Sequence, residues 1–436
     1  MTERESRIVV SKSKKRNVEL EFGGGNITSD GGVSLLSLAD KRLNLTKRLA
    51  GFLTDPRDQN KTLYPLLQLV RQRIYGIGLG YEDVNDHDFL RYDVGFQTAI
   101  NTDKTSAGKS TVNRVEKVVT DEDMWRINEL LVNVFIESFD SPPSEVILDF
   151  DGTDDRVHGN QIGSYYHGYY GHECFLPLYV FCGDHLLVGY LRPGWSDGAR
   201  HAWAILSLLV KRLRQEWPDV KIVFRGDGAF CRPAMLNWCE RKNVDYIVGI
   251  AGNQRLLQKA SKVMNSARSE FEKNGEKQRL FSEFMYGAET WKNERMIIVK
   301  AEHNSKGENP RFICTSLVGD PQSLYENVYC ARGDMENRIK DQQLYLFADR
   351  TSCTTWNANQ FRLLLSGMAY TLIYAIKRLA LKGTKLENAR CDSIRLKLLK
   401  IGAVIIRNTR RVRFLLSSAF PYESIFRTVV RRLCPG

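Results

Sequence analysis

A chain of 436 residues with 43% hydrophobic positions is too long for one small core and has the composition of an ordinary globular protein. Its 63 Lys and Arg against 51 Asp and Glu leave a formal charge of +12, which fits a polyanionic partner. The opening segment MTERESRIVVSKSKKR lacks the apolar core of a signal peptide, no apolar run nears the roughly 20 residues that span a bilayer, and nine cysteines without a CxxC pair make no disulfide framework, so a cytosolic protein without a membrane segment is expected.

Residues 1–22 are polar and basic and turn strand-like from Val18 to Phe22, where Gly23-Gly24-Gly25 stops the strand. From about Ser29 to Phe139 the pattern is helical. Gly108 to Val115 opens a helix with a serine or threonine cap; its first-turn polar residues either face solvent or touch DNA as a recognition helix does. Pro142-Pro143 marks a boundary. Beyond it Glu145 to Asp151 reads as a buried strand ending in carboxylates, followed by strands at Phe175 to Cys182 and Leu186 to Arg192. Ala199 to Trp217 reads as helix, Val220 to Phe224 as strand, Pro233 to Lys242 as helix and Tyr246 to Ile250 as strand. Three strands, then alternating helix and strand, predict a mixed α/β sheet. From Ala251 to Pro321 the chain is polar and charged, with strand-like pieces at Arg295 to Lys300 and Arg311 to Ser316, which suggests an inserted β-rich subdomain. Val328 to Phe347 returns to helix, and Asn357 to Leu381 is a long apolar helix. From Lys382 onward apolar residues alternate with Arg and Lys; Arg407, Arg410, Arg411 and Arg413 make either a solvated face or a phosphate-contacting surface.

Three acidic sites carry candidate chemistry. Asp149 and Asp151 end the first strand and, two residues apart, share a face. Asp227 follows the strand Val220 to Phe224. Ligands of α/β sheets bind at such strand ends, and clustered carboxylates favour a divalent cation between them. Glu336 is the third, on a predicted helix where Tyr329, Arg332, Glu336 and Lys340 fall on one face. Alone, that stripe reads as a surface salt-bridge ladder. With the two aspartates, it completes a set of hard oxygen ligands able to hold two magnesium ions for reaction at phosphorus. His158, His167, His172 and His185 are spaced too irregularly for a zinc site, Cys231 and Cys239 read as buried thiols, and Trp291 reads as a small-domain core residue.

The stretches LDFDGTDDRVHG, GYYGHECFLPLYVF, LRPGWSDGARHA, FRGDGAF, YCARGDMENRIKD and LKLLKIGAVIIRNTRRVRFLLSSAFP resemble the DDE transposases of the IS4-like superfamily, in particular the IS1380 family of bacterial insertion sequences. The resemblance implies an α/β, ribonuclease-H-like mixed-sheet core with a β-rich insertion, flanked by α-helical N- and C-terminal regions. It implies a mainly helical DNA-binding region over 1–140, a catalytic core over 141–250 and 322–381, the insertion over 251–321 and a basic helical region over 382–436. It places the catalytic, metal-binding carboxylates at Asp151, Asp227 and Glu336, with Asp149 a rival for the first. Tyr329 and Arg332 become signature residues near the DNA backbone. The signature lysine seven residues past the glutamate is here Gln343, a departure, with Lys340 one turn after Glu336 in its stead. The implied cofactor is Mg2+ or Mn2+, as two ions. The implied partners are double-stranded DNA, as terminal inverted repeats and target, and a second copy of the chain on paired ends. The implied setting is the nucleoid of a bacterial cytoplasm.

Two rivals stand beside this. Asp149-Phe150-Asp151-Gly152-Thr153 matches the DxDGT motif of haloacid-dehalogenase-like phosphatases, with Asp149 as nucleophile and Asp151 as general acid. That reading leaves the Glu336 helix and the basic tail unexplained. A non-catalytic DNA-binding protein would keep the helical N-terminal region and the basic tail, but all three acids are present.

Overall fold

The buried strand expected ahead of the carboxylates forms as β1 (Glu145–Gly152). The structure, a computed structural model, describes residues 8–434, so the first seven residues of the polar N-terminal stretch lie outside the described ones. β1 sits inside a nine-stranded sheet with β2 (Leu178–Cys182), β3 (His185–Tyr190), β4 (Lys221–Gly226), β5 (Asp245–Ile250), β6 (Gln278–Tyr286), β7 (Arg295–Asn304) and β8 (Arg311–Thr315). The order is β6-β7-β8-β5-β4-β1-β2-β3, and the short strand Gly307–Glu308 pairs with β7. β1, β4 and β5 run parallel, while the other neighbouring pairs are antiparallel. Parallel strands are covered on both faces, which is why Val146-Ile147-Leu148 and Ile222-Val223-Phe224 are continuous apolar runs.

Alternation along these strands sorts the core onto two faces. On one, Leu148, Phe150, Ile222, Phe224 and Val248 pack with Leu206, Leu209 and Leu213 of the helix Ala202–Glu216 and with Met264 of the helix Gln254–Asn274. On the other, Val223, Ile247, Ile298 and Ile313 pack with Leu324 and Tyr325. Each such side chain fully buried contributes about 2 kcal/mol before entropy is counted.

The chain divides into two units. The sheet and its helices make one, Met124–Leu344 with Ala348–Leu364; the other takes the chain up to Asp123, Tyr345–Phe347 and Leu365 onward.

Two stretches differ from the sequence expectation. Residues 254–274 form a 21-residue helix where only polar, charged chain was read. Its buried positions, Leu256, Ala260, Met264 and Ala267, recur every three or four residues, but the charged remainder hid that stripe. The strands that follow do not close on themselves: β8 hydrogen-bonds to β5, so β6, β7 and β8 extend the core sheet. In the basic tail, Ala403–Arg407 and Val412–Leu416 form a hairpin that pairs with Ile27–Thr28, so the tail is not all helical; Glu423–Leu433 is. Alternating apolar and basic residues have the period of a strand.

The apolar helix also corrects a reading. Trp356–Leu381 spans 26 residues and is long and apolar enough to cross a membrane, contrary to the expectation that no such run exists. It is a core helix, with 78% of its most apolar window buried inside the protein.

The other unit begins with a hairpin, Ile8–Ser13 against Arg16–Leu20. Its helices Val33–Leu43, Leu45–Phe52, Leu66–Leu79 and Lys109–Lys117 bear out the helical pattern. The expected serine or threonine cap is absent: Gly108 is the N-cap, and the Lys109 N–H donates instead to Asp88 Oδ1 at 3.0 Å. Polar groups are buried in pairs. Arg73 Nε donates to Glu116 at 2.6 Å, and Asp40 accepts from Tyr75 Oη at 2.8 Å.

His87 is one exception. It is fully buried, Gln72 Nε2 donates to its Nδ1 at 3.2 Å, and its Nε2 has no partner among the described residues. Burial, with help from Arg73, pushes its imidazole down to about 3. Below the ordinary imidazole range the unfolded chain binds a proton that the native one refuses, so stability is lost as pH falls from about 6.5 toward 3. The expected loss between pH 7 and 5 is about 2 kcal/mol. His87→Gln should flatten that dependence; parallel urea-melt profiles for wild type and variant at both pH values would sink the assignment.

Candidate active site

β1 and β4 are parallel neighbours, with Arg225 opposite Asp149 and Gly226 opposite Phe150. That register sets Asp151, next on β1, beside Asp227, next after β4. Asp227 caps the short turn Gly228–Phe230, its Oδ1 accepting from the Ala229 N–H at 2.9 Å. Asp151 and Asp227 line one cavity of about 240 Å³, walled also by Thr153, His167, Tyr169, Tyr170, Arg192 and Ser196.

The third carboxylate arrives on the helical segment from Pro321 to Tyr345, which is not a regular helix. It widens over Leu324–Tyr329, tightens over Cys330–Arg332, becomes regular over Gly333–Lys340 and widens again over Asp341–Tyr345. Such irregular turns re-aim side chains and gather at functional sites. Tyr329 reaches the end of β5 because Gly249 leaves room: a Cβ there would stand 2.7 Å from Tyr329 Oη. Arg332 Nη1 donates to Asp151 Oδ2 at 2.9 Å, and its Nη2 lies 3.9 Å from Glu336 Oε1.

The structure therefore brings Asp151, Asp227, Tyr329, Arg332 and Glu336 together. Burial pushes the Asp151 carboxyl up to about 7, aided by repulsion from Asp227 and Glu336 and opposed by Arg332 and the Gly152 N–H. Burial also raises the Tyr329 phenol. At Arg332, burial favours the neutral form, but Asp151, Asp227 and Glu336 outweigh it and raise the guanidinium. Lys340 is not gathered in; it is exposed and makes no ion pair or hydrogen bond among the described residues. Among the described residues, no three His, Cys, Asp or Glu side chains stand grouped as a metal site, which also leaves the four histidines without one. At the carboxylates, the guanidinium of Arg332 lies between Asp151 and Glu336. The donor set nonetheless fits a hard cation. The donors are oxygens, and a divalent ion would favour the ionised form of Asp151, which burial first and repulsion from Asp227 and Glu336 second disfavour.

Asp149 is corrected, both as a metal ligand and as a phosphatase nucleophile. It shares a strand face with Asp151 but is 1% exposed. Arg225 takes both of its oxygens, Nε on Oδ1 and Nη2 on Oδ2, while Arg225 Nη1 donates to Val328 O. Buried against Arg225, Asp149 does not line the cavity that Asp151 and Asp227 share.

Sequence reasoning missed three residues. Arg225 lies two residues before Asp227, but only the parallel register sets it opposite Asp149. Gln343 stands where the family resemblance expects a lysine. Its Nε2 donates to Asp154 O and Asp155 Oδ1, both at 2.9 Å, tying the chain after β1 to the Glu336 helix. Arg192 gave no signal at all, and its burial is a product of the tertiary structure. Trp291 packs against Tyr286, with Arg295 over its ring, as its reading as a core residue predicts.

No curated protein matches the chain. Among solved structures, the chain is similar to the piggyBac transposase in its synaptic complex with hairpin DNA, at 11% identity and a TM-score of 0.44, over 85% of this chain and 80% of that one. A profile of the family described as transposase DDE domain group 1 matches residues 10–435. DDE transposase domains use divalent metal ions, and this chain belongs to the DDE transposase domain family.

Proposed function

We propose that the chain is the transposase of a bacterial insertion sequence of the IS1380 family, within the IS4-like superfamily. It cuts DNA at the element's ends and joins the freed 3′-hydroxyls to target DNA. The observation that carries this is the meeting of Asp151, Asp227 and Glu336 around Arg332 in a chain of this family. A ribonuclease-H-like core is supported by the order β3-β2-β1-β4-β5, with only β1, β4 and β5 parallel.

Asp151, Asp227 and Glu336 would hold divalent ions, Mg2+ or Mn2+, with Arg332 the residue that now pairs with Asp151. Two such ions, when bound, supply an ionised nucleophile and charge stabilisation at phosphorus. The chain's own residues position. Arg332 exchanges the Asp151 carboxylate for a backbone phosphate, and Tyr329 walls the approach beside the end of β5. Lys340, exposed one turn past Glu336, meets phosphate farther along the strand. The helical region 1–140 and the basic region 382–436 read the terminal inverted repeats, and two copies act on paired ends in the nucleoid.

The test is strand cleavage of a supercoiled plasmid carrying the element's two ends. Nicking at those ends with Mg2+ and none with a chelator supports the proposal. Tight end binding without cleavage in any divalent metal would count against it.

A further inference from the structure

The cavity beside Asp151 and Asp227 has a polar wall for which the carboxylate chemistry does not account. Arg192, just past β3, is 1% exposed. Its Nε donates to Leu176 O at 2.7 Å, and its Nη1 donates to Gly198 O at 2.7 Å and to Arg200 O at 3.3 Å. These carbonyls fix the guanidinium and gather the loop 193–200 around it, but none is charged. The nearby Asp197 carboxylate pairs with Arg232 instead, and Arg192 has no ion pair among the described residues. Its Nη2 has no hydrogen-bond partner among them either, and it lies against Gly152, where a Cβ would stand 2.9 Å from it. On the same loop, Ser196 is 5% exposed, and its Oγ is buried without a partner. Arg192, Ser196 and Gly152 all line the cavity.

A buried cation without a counter-ion and a buried hydroxyl without a partner are both costly, and one anion with several acceptor oxygens resolves both. Burial pushes the Arg192 guanidinium down to about 10, so it stays charged at neutral pH. The cavity, about 240 Å³, is smaller than the roughly 300–1,000 Å³ of pockets for drug-sized ligands and has room for a group of phosphate size. Tyr169 and Tyr170 also line it. We infer that Arg192 and Ser196 form a subsite for a backbone phosphodiester of the strand held at the carboxylates, Arg192 Nη2 and Ser196 Oγ donating to its oxygens. The inference rests on the proposed DNA-cutting function and adds the contact that fixes the strand on the β3 side of the site.

Binding of a duplex oligonucleotide, followed by fluorescence anisotropy across a salt series, tests it. Each phosphate contact contributes about 0.9 to the slope of log affinity against log salt on duplex, or about 0.7 on single strands. Arg192→Gln is expected to lose that increment and to bind about tenfold more weakly near physiological salt. Ser196→Ala removes a buried hydroxyl with no protein partner, so its melting temperature should equal or exceed that of wild type while it binds roughly threefold more weakly. Wild-type affinity in Ser196→Ala, together with wild-type affinity and slope in a folded Arg192→Gln, overturns the subsite. If Arg192→Gln does not fold, Ser196→Ala decides alone. A wild-type protein that binds no DNA removes the functional reading, and inorganic phosphate then decides the subsite separately. Phosphate raising the melting temperature of wild type more than that of Ser196→Ala upholds it, and equal shifts overturn it.

Discussion

An Asp227→Asn protein is expected to bind DNA at least as well as wild type and to cut it about a thousandfold more slowly. The reasoning separates two jobs of one side chain. Oδ1 caps the turn Gly228–Phe230 through the Ala229 N–H, and losing a cap costs about 1 kcal/mol. An asparagine oxygen can still cap, so the fold of the β4 end survives. What it cannot supply is the second negative charge beside Asp151, whose burial and whose repulsion by Asp227 mark the place where a divalent cation is favourable. A cation at the reacting phosphorus contributes several kcal/mol of charge stabilisation, and each 1.4 kcal/mol is tenfold in rate. DNA affinity should hold or rise, because a carboxylate that repels phosphate has been neutralised. The measurement is plasmid nicking in Mg2+ alongside anisotropy. An asparagine variant that nicks at the wild-type rate would falsify the role given to Asp227.

The second large effect is on stability. Arg225→Met is expected to cost about 3–5 kcal/mol, because it leaves Asp149 charged, buried and alone. It also strips Val328 O of its donor, so the start of the Glu336 helix loses its tie to β4. Pairing the change with Asp149→Leu should recover part of the loss, since an apolar pair of similar volume is often as stable as a buried ion pair. Urea unfolding of the single and double variants checks this. A single variant as stable as wild type would show that the pair does not clamp β1 to β4. The same series separates the two enzyme readings. Asp149→Asn should lose stability and only secondarily cleavage, whereas a phosphatase nucleophile would lose turnover without loss of stability.

Much of this protein follows from local sequence. Val146-Ile147-Leu148 and Ile222-Val223-Phe224 announce buried strands because a strand covered on both faces carries unbroken apolar residues. Asp151 and Asp227 sit just where those runs end, so their place at strand ends was legible from hydrophobic pattern alone. Glu336 was legible only through its resemblance to a family motif, since a lone Arg–Glu stripe on a helix is common. Where charge masked periodicity the reading failed, as over Gln254–Asn274, whose buried stripe is four small or apolar residues among many polar ones. Whether β6, β7 and β8 fold apart or extend the sheet was beyond any local signal, because the choice lies in the long-range pairing of β8 with β5.

The division of labour between Asp149 and Asp151 shows the same boundary. Sequence determined that the two share a strand face, because side chains alternate with period two. It could not say which one reaches a ligand. That was decided by the parallel register, which set Arg225 across from Asp149 and neutralised it, and by the irregular turns that brought Arg332 and Glu336 to Asp151. Covalent spacing determines which face a side chain takes. Partners distant in sequence determine its charge, its burial and so its chemistry.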